Sequence, residues 1–190
     1  MSSNHIQGSV PDCGGNTAVS GLTLAAPAKL NVFLEILGKR PDGFHELETV
    51  MLRTQFADQL TVHPTSSAEL TLQFSDATPD HLQKNIPVDG RNLILRAAAA
   101  VRDLLGVTTG ARFILHKRIP PESGLGGGSS NAATALLLCR QLWKPGLEDA
   151  VLHRIAASLG SDINFLLRGC AAAVCRGRGE IIEPVSLHGR

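Results

Sequence analysis

The segment at residues 123–131 has the composition of an anion-binding site. It reads SGLGGGSSN, with glycine at four of the five positions 124–128. Glycine costs backbone entropy, so a folded chain keeps it where the main chain adopts a positive φ or approaches another group closely. Successive N–H groups of such a loop, followed by the first turn of a helix, attract phosphate. The segment predicts a phosphate-binding loop, in which Ser129 and Ser130 donate hydroxyl hydrogen bonds or help to hold the metal that accompanies a nucleotide.

The loop differs from the common nucleotide-binding patterns. No Lys follows its last glycine, as the GxxxxGK[ST] pattern requires, and neither register of GxGxxG is complete. A glycine-rich turn capped by Ser or Asn is the alternative interpretation. What favours phosphate binding is the sequence on either side of the loop, PPES at 120–123 and NAAT at 131–134, through the family resemblance that these residues carry.

With the residues NAAT at 131–134, the whole segment 120–134 closely resembles the signature of the GHMP kinases. In that family the loop wraps the phosphates of ATP at the start of a buried helix, so the resemblance implies ATP and Mg²⁺ as cofactors and Ser130 as a weak metal ligand. The implied nucleotide-binding residues are Pro120, Gly124, Leu125, Gly126, Gly127, Gly128, Ser129 and Ser130.

Two further blocks narrow the resemblance. Residues 27–34 (PAKLNVFL) and 38–47 (GKRPDGFHEL) resemble the opening of the diphosphocytidyl-methylerythritol kinases, and residues 159–165 (LGSDINF) with 176–180 (RGRGE) resemble that family's GxDVPFF and GxGE segments. The resemblance implies ATP-dependent phosphorylation of the 2-hydroxyl of 4-diphosphocytidyl-2-C-methyl-D-erythritol, in the non-mevalonate route to isoprenoids.

The same resemblance assigns roles to individual side chains. Asp162 would accept the hydroxyl proton, and Lys29 beside it would steady the developing alkoxide or the moving phosphoryl group. Asn31 would contact the substrate, while Phe44 would stack on the cytosine and His45 would hydrogen-bond it. The alternatives are structural: Asp162 could cap a short helix at 163–167, Lys29 could be a solvated charge, and Phe44 and His45 could be a turn-closing hydrophobe and a surface histidine.

The resemblance also places two more residues, Asn92 and Lys117, near the adenine of the nucleotide. For Asn92 the position favours an N-cap instead, because an apolar helical pattern follows it. Asn164 stands where the family usually has Pro, which loosens the backbone directly after Asp162.

The predicted elements form an α+β domain with a curved, mostly antiparallel sheet covered by helices, the fold of the GHMP amino-terminal domain and of ribosomal protein S5 domain 2. Period-2 alternation and turn signals predict an antiparallel meander of four strands, and helical spacing with N-cap and glycine stop signals predicts three helices. The strands are expected at 28–37, 48–56, 59–63 and 69–74, with further strands at 112–117 and 170–175, and the helices at 93–105, 130–143 and 147–159.

Length and composition indicate one domain. The chain has 190 residues, 43% of them hydrophobic, with a formal charge of +1, which attracts neither nucleic acid nor an anionic membrane. Residues 1–22 are expected to be a mobile leader and residues 23–190 the ATP-binding domain. No apolar run approaches the roughly 20 residues of a membrane span, and four cysteines without a CxxC pair favour a reducing, cytoplasmic setting.

Related kinases continue into a second lobe, so the resemblance implies that the carboxy-terminal GHMP domain is absent. Ala171, Ala173 and Val185 are then expected on an uncovered surface that favours self-association. A nucleotide-binding fragment without catalysis and a GHMP kinase for another alcohol, such as mevalonate or homoserine, stay open as alternatives. An RNA-binding module is disfavoured, because the chain has neither a basic excess nor many aromatic residues.

Overall fold

The computed structural model describes residues 21–41, 43 and 45–186. The strands are β1 (Leu22–Lys39), β2 (His45–Pro64), β3 (Leu70–Phe74), β4 (Ala111–His116), β5 (Ala172–Gly177) and β6 (Ile181–Pro184). The helices are α1 (Asp80–Gln83), α2 (Leu93–Leu105), α3 (Gly127–Trp143), α4 (Asp149–Leu159) and α5 (Ser161–Arg168). The predicted leader lies outside the described residues except for its last two positions, and Leu22 already belongs to β1.

The sheet is built around β2, which is 20 residues long. Strand β1 pairs with it antiparallel along its whole length, while β4 and β5 share its other edge at residues 59–64 and 47–52. The strand order is β3-β4-β2-β5-β6, and among the described pairings only β3 with β4 is parallel. The expected α+β fold with a mostly antiparallel sheet is confirmed.

The predicted four-strand meander is wrong in two places. Residues 48–56 and 59–63 belong to one continuous strand, because Ala57 and Asp58 continue the pairing with β1 and do not turn the chain. Strand β3 does not pair with β2 but lies parallel to β4. A parallel pair needs a crossover connection, and α2 supplies it between β3 and β4.

The core lies between the sheet and the helices, with α3 at its centre. Helix α3 packs against β1, β2 and three other helices, and its buried residues run from Ser130 to Cys139 with only Leu137 partly exposed. The apolar helix expected directly after the glycines is therefore present, and it lies at the centre of the domain. The helix begins at Gly127, three residues before the predicted start, because its first turn is made by the glycines themselves.

Helix ends follow their local signals closely. Asn92 caps α2 by accepting a hydrogen bond from the N–H of Ile94, and Gly106 ends the helix with a φ of 63°. The last predicted strand starts at Ala172 and not at 170, because Gly169 ends α5 in the left-handed conformation with a φ of 72° and residues 170–171 lead out of the helix.

The outer half of β1 carries a row of exposed apolar side chains. They are between 43% and 62% exposed and comprise Leu30, Val32, Phe33, Leu34, Ile36 and Leu37. Of the three residues expected on an uncovered surface, Ala171 and Val185 are exposed, whereas Ala173 is fully buried between the sheet and the helices, so the prediction is wrong for Ala173 alone. Within the described residues, none of the helices is long and apolar enough to cross a membrane.

Candidate active site

The glycine loop places its backbone directly against two lysine side chains. Gly124 and Gly126 have φ values of 76° and 69°, and Gly126 is the N-cap of α3. A Cβ on Gly126 would lie 2.8 Å from Cγ of Lys29, and one on Gly127 would lie 2.9 Å from Nζ of Lys117. Both positions therefore require glycine, since a real Cβ would displace a buried lysine.

Lys29 joins the loop to the acidic side chain of α5. Its N–H donates to the carbonyl of Leu125 at 2.9 Å. Its Nζ lies 3.2 Å from Oδ2 of Asp162 and donates to Oδ1 of Asn31 at 3.0 Å. Lys29 is only 7% exposed, so it is not the solvated charge of the alternative interpretation.

Asp162 lies in the first turn of α5 and does not cap it. The N-cap is Gly160, and the helix has no side-chain capping bond. The Asp162 side chain is 30% exposed, so a small molecule can reach its carboxylate. The structure thus brings together a cation and an accessible carboxylate beside the glycine loop, from opposite ends of the chain.

A second buried ion pair lies beneath the loop. Nζ of Lys117 lies 2.7 Å from Oδ2 of Asp58 and also donates to the carbonyl of Ile119. The other carboxylate oxygen of Asp58 accepts from the N–H groups of Arg118 and Ile119 at 2.6 and 2.8 Å. Asp58 therefore holds both Lys117 and the segment that leads into the glycine loop.

A cavity of about 390 Å³ opens in front of the loop. Its walls come from the loop, from the segment before α2 and from the end of β4. The residues that line it include Asn92, Lys117, Pro120, Gly124, Gly126, Gly127, Gly128 and Ser129. Asn92 lines it while its side chain is engaged in the cap and donates to the carbonyl of Pro87 at 2.7 Å.

Two polar atoms at the start of α3 are buried without a hydrogen-bond partner among the described residues. They are Oγ of Ser130 and Oδ1 of Asn131. Unpaired buried polar atoms are costly, so they mark places where a ligand or an ion completes the hydrogen bonding. The helix N-terminus and the Ser130 hydroxyl would donate to a nucleotide's phosphates, whereas Oδ1 of Asn131, which can only accept, would suit an associated metal ion or a donor group.

Comparison with known proteins agrees with this geometry. A solved structure described as 4-(cytidine 5'-diphospho)-2C-methyl-D-erythritol kinase superposes with a TM-score of 0.69 and 37% identity, over 88% of this chain and 56% of that one. Residues 92–176 match the GHMP kinases N terminal domain. This chain belongs to the GHMP kinases.

Two curated relatives illustrate the similarity in sequence. The proteins of Synechococcus sp. (strain CC9605) and Pelotomaculum thermopropionicum, both named 4-diphosphocytidyl-2-C-methyl-D-erythritol kinase, are 46% and 41% identical to this chain over 86% and 85% of its length. The chain spans 51% and 54% of those proteins. A homoserine kinase from Cytophaga hutchinsonii, at 18% identity and a TM-score of 0.60, shares the fold.

Of the two residues assigned to a cytidine group, His45 lies at the far end of the β1–β2 hairpin of this GHMP kinase chain. His45 is exposed and pairs with Lys39, whereas Lys29 pairs with Arg53 lower in the same hairpin. Phe44 lies outside the described residues. His45 is therefore not grouped with Lys29, Asn31 and Asp162, and its assigned role stays a prediction.

Sequence reasoning missed Asp58 and Asn131. Asp58 lies between Ala57 and Gln59 in β2, which also carries Glu46 and Glu48, so nothing local distinguished it as the partner of a buried lysine. Asn131 follows the loop directly but resembled the polar start of a helix. Among the described residues there is no group of three or more His, Cys, Asp or Glu side chains that could hold a metal ion.

Proposed function

We propose that this chain supplies the nucleotide-binding half of a small-molecule kinase that uses ATP to phosphorylate the 2-hydroxyl of 4-diphosphocytidyl-2-C-methyl-D-erythritol. The names of relatives at 41–46% identity support the substrate. The observation that carries the proposal is the ion pair of Lys29 and Asp162, with 3.2 Å between Nζ and Oδ2, directly beside the glycine loop.

The geometry suits phosphoryl transfer to an alcohol. Asp162 accepts the proton of the substrate hydroxyl while that oxygen forms its bond to the γ-phosphorus and the bond to the leaving ADP breaks. Lys29, which is held by Asn31 and by the backbone of Leu125, stabilises the negative charge on the moving phosphoryl group. The exposed face of Asp162 is where the hydroxyl would approach.

ATP and Mg²⁺ are the cofactors that we propose for this site. The N–H groups of residues 124–129 would hold the phosphates, and Ser130 is the residue that would help to hold the metal. When bound, Mg²⁺ would neutralise phosphate charge. The buried hydroxyl of Ser130, without a partner among the described residues, supports this assignment.

The nucleotide part of the proposal is tested by calorimetric titration with a non-hydrolysable ATP analogue. The wild-type chain is expected to give Mg²⁺-dependent heat, and Gly127→Val is expected to lose it, because the new side chain would collide with Lys117. Gly146→Val is the matched control, since a Cβ at that position meets no atom within 4 Å. Equal binding by Gly127→Val and wild type would remove the phosphate-loop assignment.

The chemistry is tested by phosphoryl transfer to the cytidine-diphosphate substrate. Asp162→Asn is expected to abolish turnover and to keep nucleotide binding, while Asp76→Asn, at an exposed loop position, is expected to keep both. Turnover by Asp162→Asn at the wild-type rate would take the role of base away from Asp162. The same assay with mevalonate or homoserine tests the other alcohols, which we expect to be poor acceptors.

Nucleotide binding without catalysis is the second candidate. It is favoured by one observation, namely that neither Lys29 nor Asp162 is among the residues that line the cavity in front of the glycine loop. Nucleotide heat from the wild-type chain without product formation at high substrate would select this candidate.

For substrate recognition we propose Asn31, Phe44 and His45. Asn31 already touches Lys29, and His45 has an exposed ring at the end of the hairpin. His45→Ala is expected to raise KM for the cytidine-containing substrate and to leave KM for ATP unchanged. An unchanged KM for both substrates would exclude a role for His45 in recognising the cytosine.

We also propose self-association, through the apolar outer half of β1. Side chains such as Val32 and Ile36 are 58% and 62% exposed, and an uncovered apolar patch tends to find a partner. Sedimentation velocity should show concentration-dependent association that Ile36→Lys abolishes, whereas a monomeric wild type would exclude it.

A cytoplasmic setting is part of the proposal, supported by the free thiols of Cys139, Cys170 and Cys175.

A further inference from the structure

Helices α4 and α5 are joined by a hydrogen bond between two polar side chains. Nδ1 of His153 lies 2.8 Å from Oδ1 of Asn164. Asn164 is 5% exposed and His153 is half-buried. Because an amide oxygen can only accept, Nδ1 of His153 carries the proton and donates it to Asn164.

This bond lies two residues from Asp162, on the opposite side of the same short helix. Helix α5 has eight residues and no side-chain cap, and a single residue, Gly160, separates it from α4. Positions two apart on a helix do not face each other. Asn164 therefore faces α4, while Asp162 faces Lys29.

A short helix with an uncapped start needs an orienting contact if its first turn is to hold a side chain in place. The side chains of a helix end roughly 5–6 Å from its axis, so a rotation of about 20° would move a carboxylate by roughly 2 Å. Such a shift would remove a 3.2 Å contact, and in enzymes a misplacement of about 1 Å can cost roughly a hundredfold in rate. The apolar neighbours Ile163 and Phe165 are buried, but apolar packing is not directional.

We infer that His153 and Asn164 form a positioning pair that fixes the rotation of α5 and so holds Asp162 against Lys29. A hydrogen bond between two side chains is directional, so it selects one register of α5 on α4 where apolar contacts would permit several. The catalytic meaning of the inference rests on the proposed function. The positioning itself does not, because it concerns only the contact between Lys29 and Asp162.

The contact is measurable without turnover. Magic-angle-spinning NMR on the chain labelled with ¹⁵N at lysine Nζ and ¹³C at aspartate Cγ reports nitrogen–carbon contacts, and Lys29→Met and Asp162→Asn assign the relevant one. The pair Lys117–Asp58, at 2.7 Å, gives a second contact in the same sample. It serves as an internal reference, because it joins β2 to the residue after β4 and does not involve α5.

His153→Leu and Asn164→Leu are expected to reduce the Lys29–Asp162 contact signal by at least half and to leave the Lys117–Asp58 signal unchanged. His153→Asn, whose amide can donate from nearly the position of Nδ1, is expected to restore it. Val101→Ala, a truncation in the core of α2, controls for general destabilisation and should keep both signals. The two Leu variants retain apolar packing, so they are expected to fold.

An undiminished Lys29–Asp162 signal in both Leu variants would overturn the inference. So would an equal loss in Val101→Ala, or a failure of His153→Asn to restore the signal. Where the chain turns over, kcat of the Leu variants should fall at least tenfold with KM for ATP unchanged. Absence of turnover in every variant would count against the proposed function, whereas the NMR contact would still decide the positioning role.

Discussion

Nζ of Lys117 lies 2.7 Å from Oδ2 of Asp58, and the two side chains are 3% and 0% exposed. Gly127, the first residue of α3, lies directly against the same ammonium group. The charged pair thus connects the middle of β2 to the end of β4 and to the loop that we propose as the phosphate site.

Asp58→Ala is expected to lower the free energy of unfolding by about 3–5 kcal/mol, because it leaves the Lys117 ammonium buried without its counter-charge. Urea denaturation measures the change. The double variant with Lys117→Met should recover part of the loss, since it removes the unpaired charge. Asp76→Ala, at an exposed loop position, is the control and should change stability little. A loss as small as that of the control would show that the pair is not structural.

Gly126→Ala is expected to destabilise the loop by about 1–2 kcal/mol, because an L-residue disfavours the left-handed conformation, and its Cβ would also lie 2.8 Å from Cγ of Lys29. Affinity for an ATP analogue should fall roughly tenfold or more, as a loss of about 1.4 kcal/mol implies. Calorimetry and thermal denaturation measure the two effects.

The neighbouring Gly128 provides the contrast in stability. It lies inside α3, and a Cβ there would meet its nearest atom, Cδ1 of Leu93, at 3.9 Å. Gly128→Ala should raise stability by about 0.5–1 kcal/mol, because alanine loses less backbone entropy in a helix. If Gly126→Ala were as stable as Gly128→Ala, the backbone argument for the loop would fail.

Asn92→Ala is expected to cost about 1 kcal/mol of stability, because it removes the cap of α2. Asn92→Asp keeps an oxygen that can accept from the N–H of Ile94 and should cost much less, although the donor to Pro87 is lost. Thermal denaturation measures both variants, and calorimetry with the ATP analogue shows whether Asn92 also contributes to the adenine pocket. A loss of affinity in Asn92→Asp without a loss of stability would support the pocket role.

Stability is expected to fall between pH 9 and pH 11 through the thiol of Cys175. Burial, followed by the nearby Cys170 and Asp162, raises the pKa of Cys175 from 9.0 to about 11. Above pH 9 the unfolded thiol loses its proton while the folded one keeps it, so the unfolded state becomes more favourable as the pH rises.

The size of this effect is bounded by the pKa difference, at up to roughly 3 kcal/mol. Denaturation of wild type and Cys175→Ala across this range isolates the thiol from all the other groups, which the two proteins share. Parallel pH profiles for the two proteins would show that Cys175 does not contribute. Below pH 9 the two profiles should run parallel.

Local features were predictable from neighbouring residues. The cap of α2 at Asn92 and its end at Gly106 follow from preferences that act within one helical turn. The glycine loop was recognisable for the same reason, since a run of glycines before an apolar helix has a restricted set of uses. Alternation along 28–37 predicted a strand correctly, although β1 extends beyond both ends of that segment.

The register of distant segments was decided by the tertiary structure. Strand β2 continues through Asp58 because Lys117 supplies the counter-charge. No residue near position 58 in the sequence indicates that Lys117 is its partner. The parallel pairing of β3 with β4 depends on α2 crossing between them. Asn164, which stands where the family usually has Pro, was expected to loosen the backbone after Asp162. In the fold, His153 lies opposite Asn164 and donates a hydrogen bond to it.

The local sequence of residues 120–134 was thus enough to predict an anion-binding loop, because the conformation of a short backbone segment depends mainly on adjacent residues. The meeting of Lys29 with Asp162 required the folded sheet and helices. Side chains from opposite ends of a chain meet only when strand pairing and helix packing fix their relative positions, and these contacts are cooperative over the whole domain.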